Sequence, residues 1–158
     1  MIELIHVTAE GGDLDIIRQL FREYEAGLEE DLCFQSFEAE LKDPLKKYGP
    51  SAGVLLLARW EGEAAGCIAL TPLKEPGACE MKRLYVRPAH RQHKIGRQLV
   101  EALLSEAKQK GYTVMKLDTL QRLQPAIRLY EQYGFVHTTA YYDNPIEDVV
   151  YMEKALLG

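Results

Sequence analysis

Cysteine is scarce in this 158-residue chain: only Cys33, Cys67 and Cys79 occur, odd in number and far apart. That spacing excludes a disulfide framework and fits reduced thiols. No Cys-x-x-Cys pair is present. His90 and His93 form an isolated His-x-x-His without further ligands, so they read as loop histidines and no metal is expected. No apolar run approaches the ~20 residues of a membrane-spanning helix, and no membrane partner is expected. The first ten residues lack the basic and apolar regions of a secretory signal, which makes the cytoplasm the expected location. Positive charge is also in short supply, with a formal net charge of −5. The basic residues gather in one loop and do not alternate with aromatics along a face, so nucleic acid is not an expected partner. Neither a Walker lysine motif nor a G-x-G-x-x-G occurs. Repeats, low-complexity tracts and long linkers are missing too, so residues 1–158 read as one domain.

What is present is a regular alternation of strand and helix patterns. Ile2 to Val7 reads as a strand. Leu14, Ile17, Leu20, Phe21, Tyr24 and Leu28 recur at helical steps, with Asp13 in a position to cap that helix. A short helix is expected from Ser36 to about Lys42, ended before Pro44. Two apolar runs, Gly53 to Trp60 and Ala64 to Thr71, flank a turn at Glu61–Glu63 and read as a hairpin. Cys79 to Val86 is a further strand, followed by Pro88 and a basic loop. Ile95, Leu99, Leu103 and Ala107 mark one face of a long helix that Gly111 terminates. Val114 to Leu120 is a strand, Pro125 to Tyr133 a helix stopped by Gly134, and short strands follow at Val136–Tyr142 and Val149–Glu153. The fold class is α/β: a mixed, mostly antiparallel sheet, a central parallel β-α-β unit, and helices on both faces.

Glu80 to Arg97, EMKRLYVRPAHRQHKIGR, holds the chemistry. Lys82, Arg83, Arg87, Arg91, Lys94 and Arg97 concentrate here in an otherwise acidic chain. They sit where a strand ends and a helix begins, and the free amides of a helix N-terminus bind phosphates. Gly96 allows close approach of the backbone. The residues alone leave two readings open: a polyphosphate site, or a basic surface loop.

The strand ending Leu84-Tyr85-Val86, the proline, and Arg-x-x-x-Ile-Gly opening a long helix resemble motif A of the GCN5-related N-acetyltransferase (GNAT) superfamily. Ala126 to Phe135, AIRLYEQYGF, resembles its motif B, and the resemblance spans Ala64 to Lys154. Gln92 and Lys94 stand where the family pattern usually has glycine, and Leu123 where many members carry asparagine. The resemblance implies acetyl-CoA as acyl donor. It places the pyrophosphate on the loop Arg91, Gln92, His93, Lys94, Ile95 and Gly96, and the pantetheine arm on the backbone of Leu84, Tyr85 and Val86. It further implies Tyr130 as the acid beside the sulfur and Glu80, eleven residues before Arg91, as the base. Strand alternation puts Glu80, Lys82, Leu84 and Val86 on one face. The implied reaction is N-acetylation of a primary amine, on a small molecule or a protein, by direct attack in a ternary complex; the alternative is a non-catalytic acyl-CoA sensor. A homodimer is a family expectation.

For the acceptor, Glu23, Glu25, Glu29, Glu30, Asp31, Glu38 and Glu40 make the first-helix region acidic. This reads either as a wall that attracts a polyamine, amino sugar or lysine, or as a solvated face that supports solubility. Tyr141 to Pro145 is a loop beside the site, serving as a substrate lid or as a plain connection.

Overall fold

The computed structural model describes residues 1–28 and 36–156. Seven strands form one sheet in the order β1-β2-β3-β4-β5-β7-β6. They are β1 (Ile2–His6), β2 (Val54–Trp60), β3 (Glu63–Pro72), β4 (Ala78–Val86), β5 (Val114–Leu120), β6 (Val136–Thr138) and β7 (Val149–Ala155). Among the described residues five helices cover it: α1 (Gly12–Leu28), α2 (Phe37–Lys42), α3 (Pro44–Tyr48), α4 (Ile95–Gln109) and α5 (Gln124–Gln132). A 3₁₀ segment, Pro88–His93, joins β4 to α4. One apolar layer, with Leu56, Ile68, Leu99, Leu103 and Met115, lies between the sheet and α4 and α5. The other, with Leu14, Ile17, Phe21, Leu55 and Leu57, lies under α1 to α3.

Local chemistry accounts for the boundaries. Glu61 and Gly62 both have positive φ, 50° and 82°, the two-residue turn that matches the twist of a hairpin. Helix α4 ends in a Schellman cap: Gly111 has φ 89°, Tyr112 N–H reaches the Ala107 carbonyl, and Gly111 N–H reaches that of Lys108. Asp13 is not the cap of α1 but lies inside its first turn, where its carboxylate accepts from Arg59 at 3.1 Å. Pro44 both ends α2 and opens α3, since a missing N–H costs nothing at a helix start. Strand β6 stops at Thr138, well short of Tyr142.

Two irregularities create the site. Strands β4 and β5 are parallel and pair only over Ala78–Glu80 against Val114–Lys116; beyond that they diverge. Strand β4 also carries a bulge. Cys67 faces Tyr85 and Ala69 faces Lys82, so three steps on β4 oppose two on β3. Arg83, inside the bulge, has φ 61°. Its carbonyl accepts from the Cys67 thiol at 3.3 Å.

The bulge overturns the alternation expected for β4. Leu84 and Val86 pack on the α4 side of the sheet, and Tyr85 on the α1 side. Glu80 and Lys82 precede the reversal and do not share the face of Leu84 and Val86: Met81, between them, is on the α4 side. An inserted residue shifts all following side chains to the opposite face.

Candidate active site

The divergence of β4 from β5 leaves a cleft of about 560 Å³. Its walls include Leu84 and Val86 from β4, Leu117 and Asp118 from β5, and Ala126, Leu129 and Tyr130 from α5. Among the described residues six basic side chains line it, Lys82, Arg83, Arg91, Lys94, Arg97 and Arg128, against the single carboxylate of Asp118. The N-terminus of α4 opens onto it. Lys94 sits there in the left-handed region, φ 59°, and no side chain caps the first-turn amides. Those amides and the surrounding cations suit a polyphosphate.

Gly96 lines the cleft. A Cβ there would meet only Leu129 and Val86, at 3.7 and 3.8 Å, so nothing in the protein itself requires glycine. Arg91 is steadied by its Nε, which donates to the Val86 carbonyl at 2.9 Å. Arg97 donates to Gln132 at 2.8 Å and lies over the Tyr133 ring.

Tyr130 is 7% exposed and packs edge-on against Phe135. Its hydroxyl has no hydrogen-bond partner among the described residues, and burial pushes it well above the ordinary tyrosine range. It is therefore a neutral donor at physiological pH.

The other expected side chains lie elsewhere. His93 stacks on Trp60 with centroids 3.9 Å apart, 6.2 Å from the His90 ring. Ile95 is core. Tyr85 donates to Glu23 at 3.2 Å on the opposite face. Gln92 is outside the cleft lining. None of these four lines the cleft.

Glu80 is 6% exposed and lines a second cavity on the other side of Lys82. Its Oε2 accepts from the Tyr141 hydroxyl at 2.7 Å, and Lys82 Nζ lies 4.0 Å from Oε1. Lys82 lines both cavities and so marks their boundary. Asp118 accepts from Tyr142 at 2.5 Å and from Asn144 at 3.2 Å. Asp118 and Arg128 were not singled out from the sequence as site residues, while Lys82 figured there only in the basic cluster and Asn144 only in the loop beside the site. An aspartate within the largely apolar β5, VMKLDTL, was the available signal.

Burial, helped by the neighbouring Arg83 charge, pulls the Lys82 ammonium down to about 8 from its ordinary 10.5. The folded state therefore bears the full cost of the buried charge below pH 8. Between 8 and 10.5 the unfolded chain binds more protons than the folded one, and stability rises with pH. Lys82→Met removes the cost. Urea unfolding at pH 7 should show a gain of about 1–3 kcal/mol, shrinking as the pH approaches the unfolded value. A difference that does not change with pH would contradict this account.

Two residues of the acidic region are neutralised by arginines of β4 and its C-terminal end. Both oxygens of Glu23 are held by Arg87, at 3.0 and 2.9 Å. Both oxygens of Glu40 are held by buried Arg83, at 2.8 and 3.0 Å. Glu29, Glu30, Asp31 and Cys33 lie outside the described residues.

A parallel pair that splays beyond a β-bulge, with an uncapped helix N-terminus at its mouth, is a site suited to a phosphate-bearing ligand. The model of the acetyltransferase (GNAT) family matches residues 14–135. An uncharacterized N-acetyltransferase of Schizosaccharomyces pombe is 50% identical over 141 residues, 89% of this chain and 86% of that protein. A GNAT-family acetyltransferase structure from Staphylococcus aureus superposes with a TM-score of 0.81 at 19% identity, covering 99% of this chain and 100% of the other. A Salmonella typhimurium structure containing its cofactor acetyl-CoA does so with a TM-score of 0.71 at 19% identity, covering 99% and 95%. The chain belongs to the acetyltransferase (GNAT) family, and is an acyl-CoA-dependent N-acetyltransferase.

Proposed function

We propose that the protein binds acetyl-CoA in the cleft between β4 and β5 and transfers its acetyl group to a primary amine entering past Glu80. The observation that carries this reading is the cleft itself. Four cations, Arg91, Lys94, Arg97 and Arg128, line it together with the N-terminus of α4, Leu84 and Val86 give it an apolar β4 wall, and Tyr130 of α5 lines it as well. Arg91, Lys94, Gly96, Arg97 and Arg128 would hold the phosphates, the backbones of Gln92, His93 and Ile95 would complete the loop, and Leu84 to Val86 would carry the pantetheine arm.

The chain's own groups supply three services. Glu80 takes the proton that the amine must lose, directly or through the hydroxyl of Tyr141 to which it is bonded. A backbone N–H freed at the Arg83–Leu84 bulge polarises the thioester carbonyl. Tyr130 gives its proton to the departing sulfur. As the amine nitrogen bonds to the carbonyl carbon the carbon–sulfur bond breaks, and the products are an N-acetyl amide and the free thiol of CoA. No metal is required by this scheme. The whole chain acts as one domain, and a cytoplasmic location and a homodimer stay part of the proposal.

The test is thiol release from acetyl-CoA with a panel of amines, with the acetylated product identified by mass spectrometry. Amine-dependent thiol release supports the reading. Tight acetyl-CoA binding with no turnover of any amine would favour a sensor domain instead.

A further inference from the structure

The second cavity, about 470 Å³, is of the size that holds small ligands. Lys47 of α3, Lys74 of the β3–β4 connection, Glu80 and Lys82 of β4, Lys116 of β5 and Tyr141 form most of its wall. Register explains the cluster. Glu80 and Lys116 are direct neighbours in the last paired rung of β4 and β5, and Lys82 follows two residues on. The cavity thus begins where the strands part and meets the donor cleft at Lys82.

Its charge is opposite to that of the chain. Four lysines line it against two glutamates, Glu75 and Glu80, in a protein of net charge −5. The nearby carboxylates are already engaged. Glu80 is held by Tyr141 at 2.7 Å, and Glu75 by Lys116 at 3.2 Å. Glu40, 3.8 Å from Lys47, is held through both oxygens by Arg83. Lys116 has a second carboxylate, Glu153, at 3.9 Å. Lys74 has no ion-pair or hydrogen-bond partner among the described residues. A cavity so lined attracts anions and repels a second cation, because like charges brought together out of bulk water are unfavourable.

Resting on the acetyltransferase reading, we propose that the acceptor is an amine of amino-acid size that also carries a carboxylate. The carboxylate sits among Lys47, Lys74 and Lys116. The amine points to Glu80 and Lys82, at the junction with the donor cleft. Polyamines and lysine side chains are disfavoured acceptors, which goes against the first of the two readings of the acidic first-helix region.

The test compares free amino acids with their α-carboxamides, which keep the shape but lose the negative charge, with kcat/KM referred to the free-amine fraction because losing the carboxylate also lowers the amine pKa. Thiol release is measured at saturating acetyl-CoA, alongside spermidine and a lysine peptide. At least one amino acid should exceed its carboxamide in kcat/KM by about 10-fold or more, as lost charge-assisted contacts in a partly buried site give. In Lys47→Gln/Lys116→Gln that ratio should narrow towards unity, mainly through KM, with acetyl-CoA affinity followed by calorimetry as the control. Preference for carboxamides, spermidine or the peptide, or no turnover of any amino acid, overturns the proposal. If acetyl-CoA still binds in that case, only the acceptor class is lost; if acetyl-CoA does not bind, the acetyltransferase reading falls with it.

Discussion

Tyr130→Phe should lower kcat by about 100-fold, the lower end of what a positioned general acid contributes. The expected change in acetyl-CoA affinity is within about two-fold, the pattern of an interaction made mainly in the transition state. The substitution is clean because it removes only an oxygen. The ring keeps its edge-on contact with Phe135. The hydroxyl has no partner among the described residues, so no buried donor or acceptor there is left unsatisfied. Thermal unfolding should therefore be unchanged. Kinetics with a fixed amine, run beside a melting curve, give both readings. An unaltered kcat would remove Tyr130 from the mechanism and leave it a packing residue.

The largest effect on stability belongs to a residue with no proposed chemical step. Arg83→Met should destabilise the fold by about 3–5 kcal/mol, the usual loss when one member of a buried ion pair is removed. Arg83 is 3% exposed and holds Glu40 through two hydrogen bonds, with its guanidinium over the rings of Tyr24 and Phe37. Burial by itself would raise the Glu40 carboxyl, but Arg83 outweighs it and keeps the group below its ordinary value. Without Arg83, Glu40 must be protonated or remain buried as an uncompensated charge. The double variant Arg83→Met/Glu40→Leu should recover most of the loss in urea unfolding, because an apolar pair needs no solvation. Equal losses in the single and double variants would show that the ion pair is not what matters. Since the pair ties α2 to the β4 bulge, the single variant should also lose activity under conditions where it stays folded.

The structure shows why some of this was legible in the residue order and some was not. Helix α4, the β2–β3 hairpin and β5 follow from local periodicity and turn chemistry, and β5 runs over Val114–Leu120 as expected. The bulge in β4 depends on how β3 pairs with it, and nothing in EMKRLYV marks the extra residue. That one displacement separates Glu80 from Leu84 and Val86. Tyr141 and Tyr142 look like strand residues because aromatics favour sheets. They leave the sheet because their hydroxyls bond to Glu80 and Asp118. Glu23 and Glu40 read simply as part of an acidic region, since an ion pair to an arginine 64 or 43 residues away leaves no local trace. Arg91, Lys94, Gly96 and Tyr130, which the resemblance to motifs A and B had marked, line one cleft because those motifs are read from residue order alone.

The most direct test of the β4–β5 cleft as the donor site is titration calorimetry of acetyl-CoA into the wild-type protein and into Arg91→Ala/Arg128→Ala. One saturable site is expected, weakening as salt is raised because the contacts are to phosphates, and weakening by about 10-fold or more in the variant. Failure to bind at millimolar acetyl-CoA, or binding indifferent to both salt and these two arginines, would contradict the assignment.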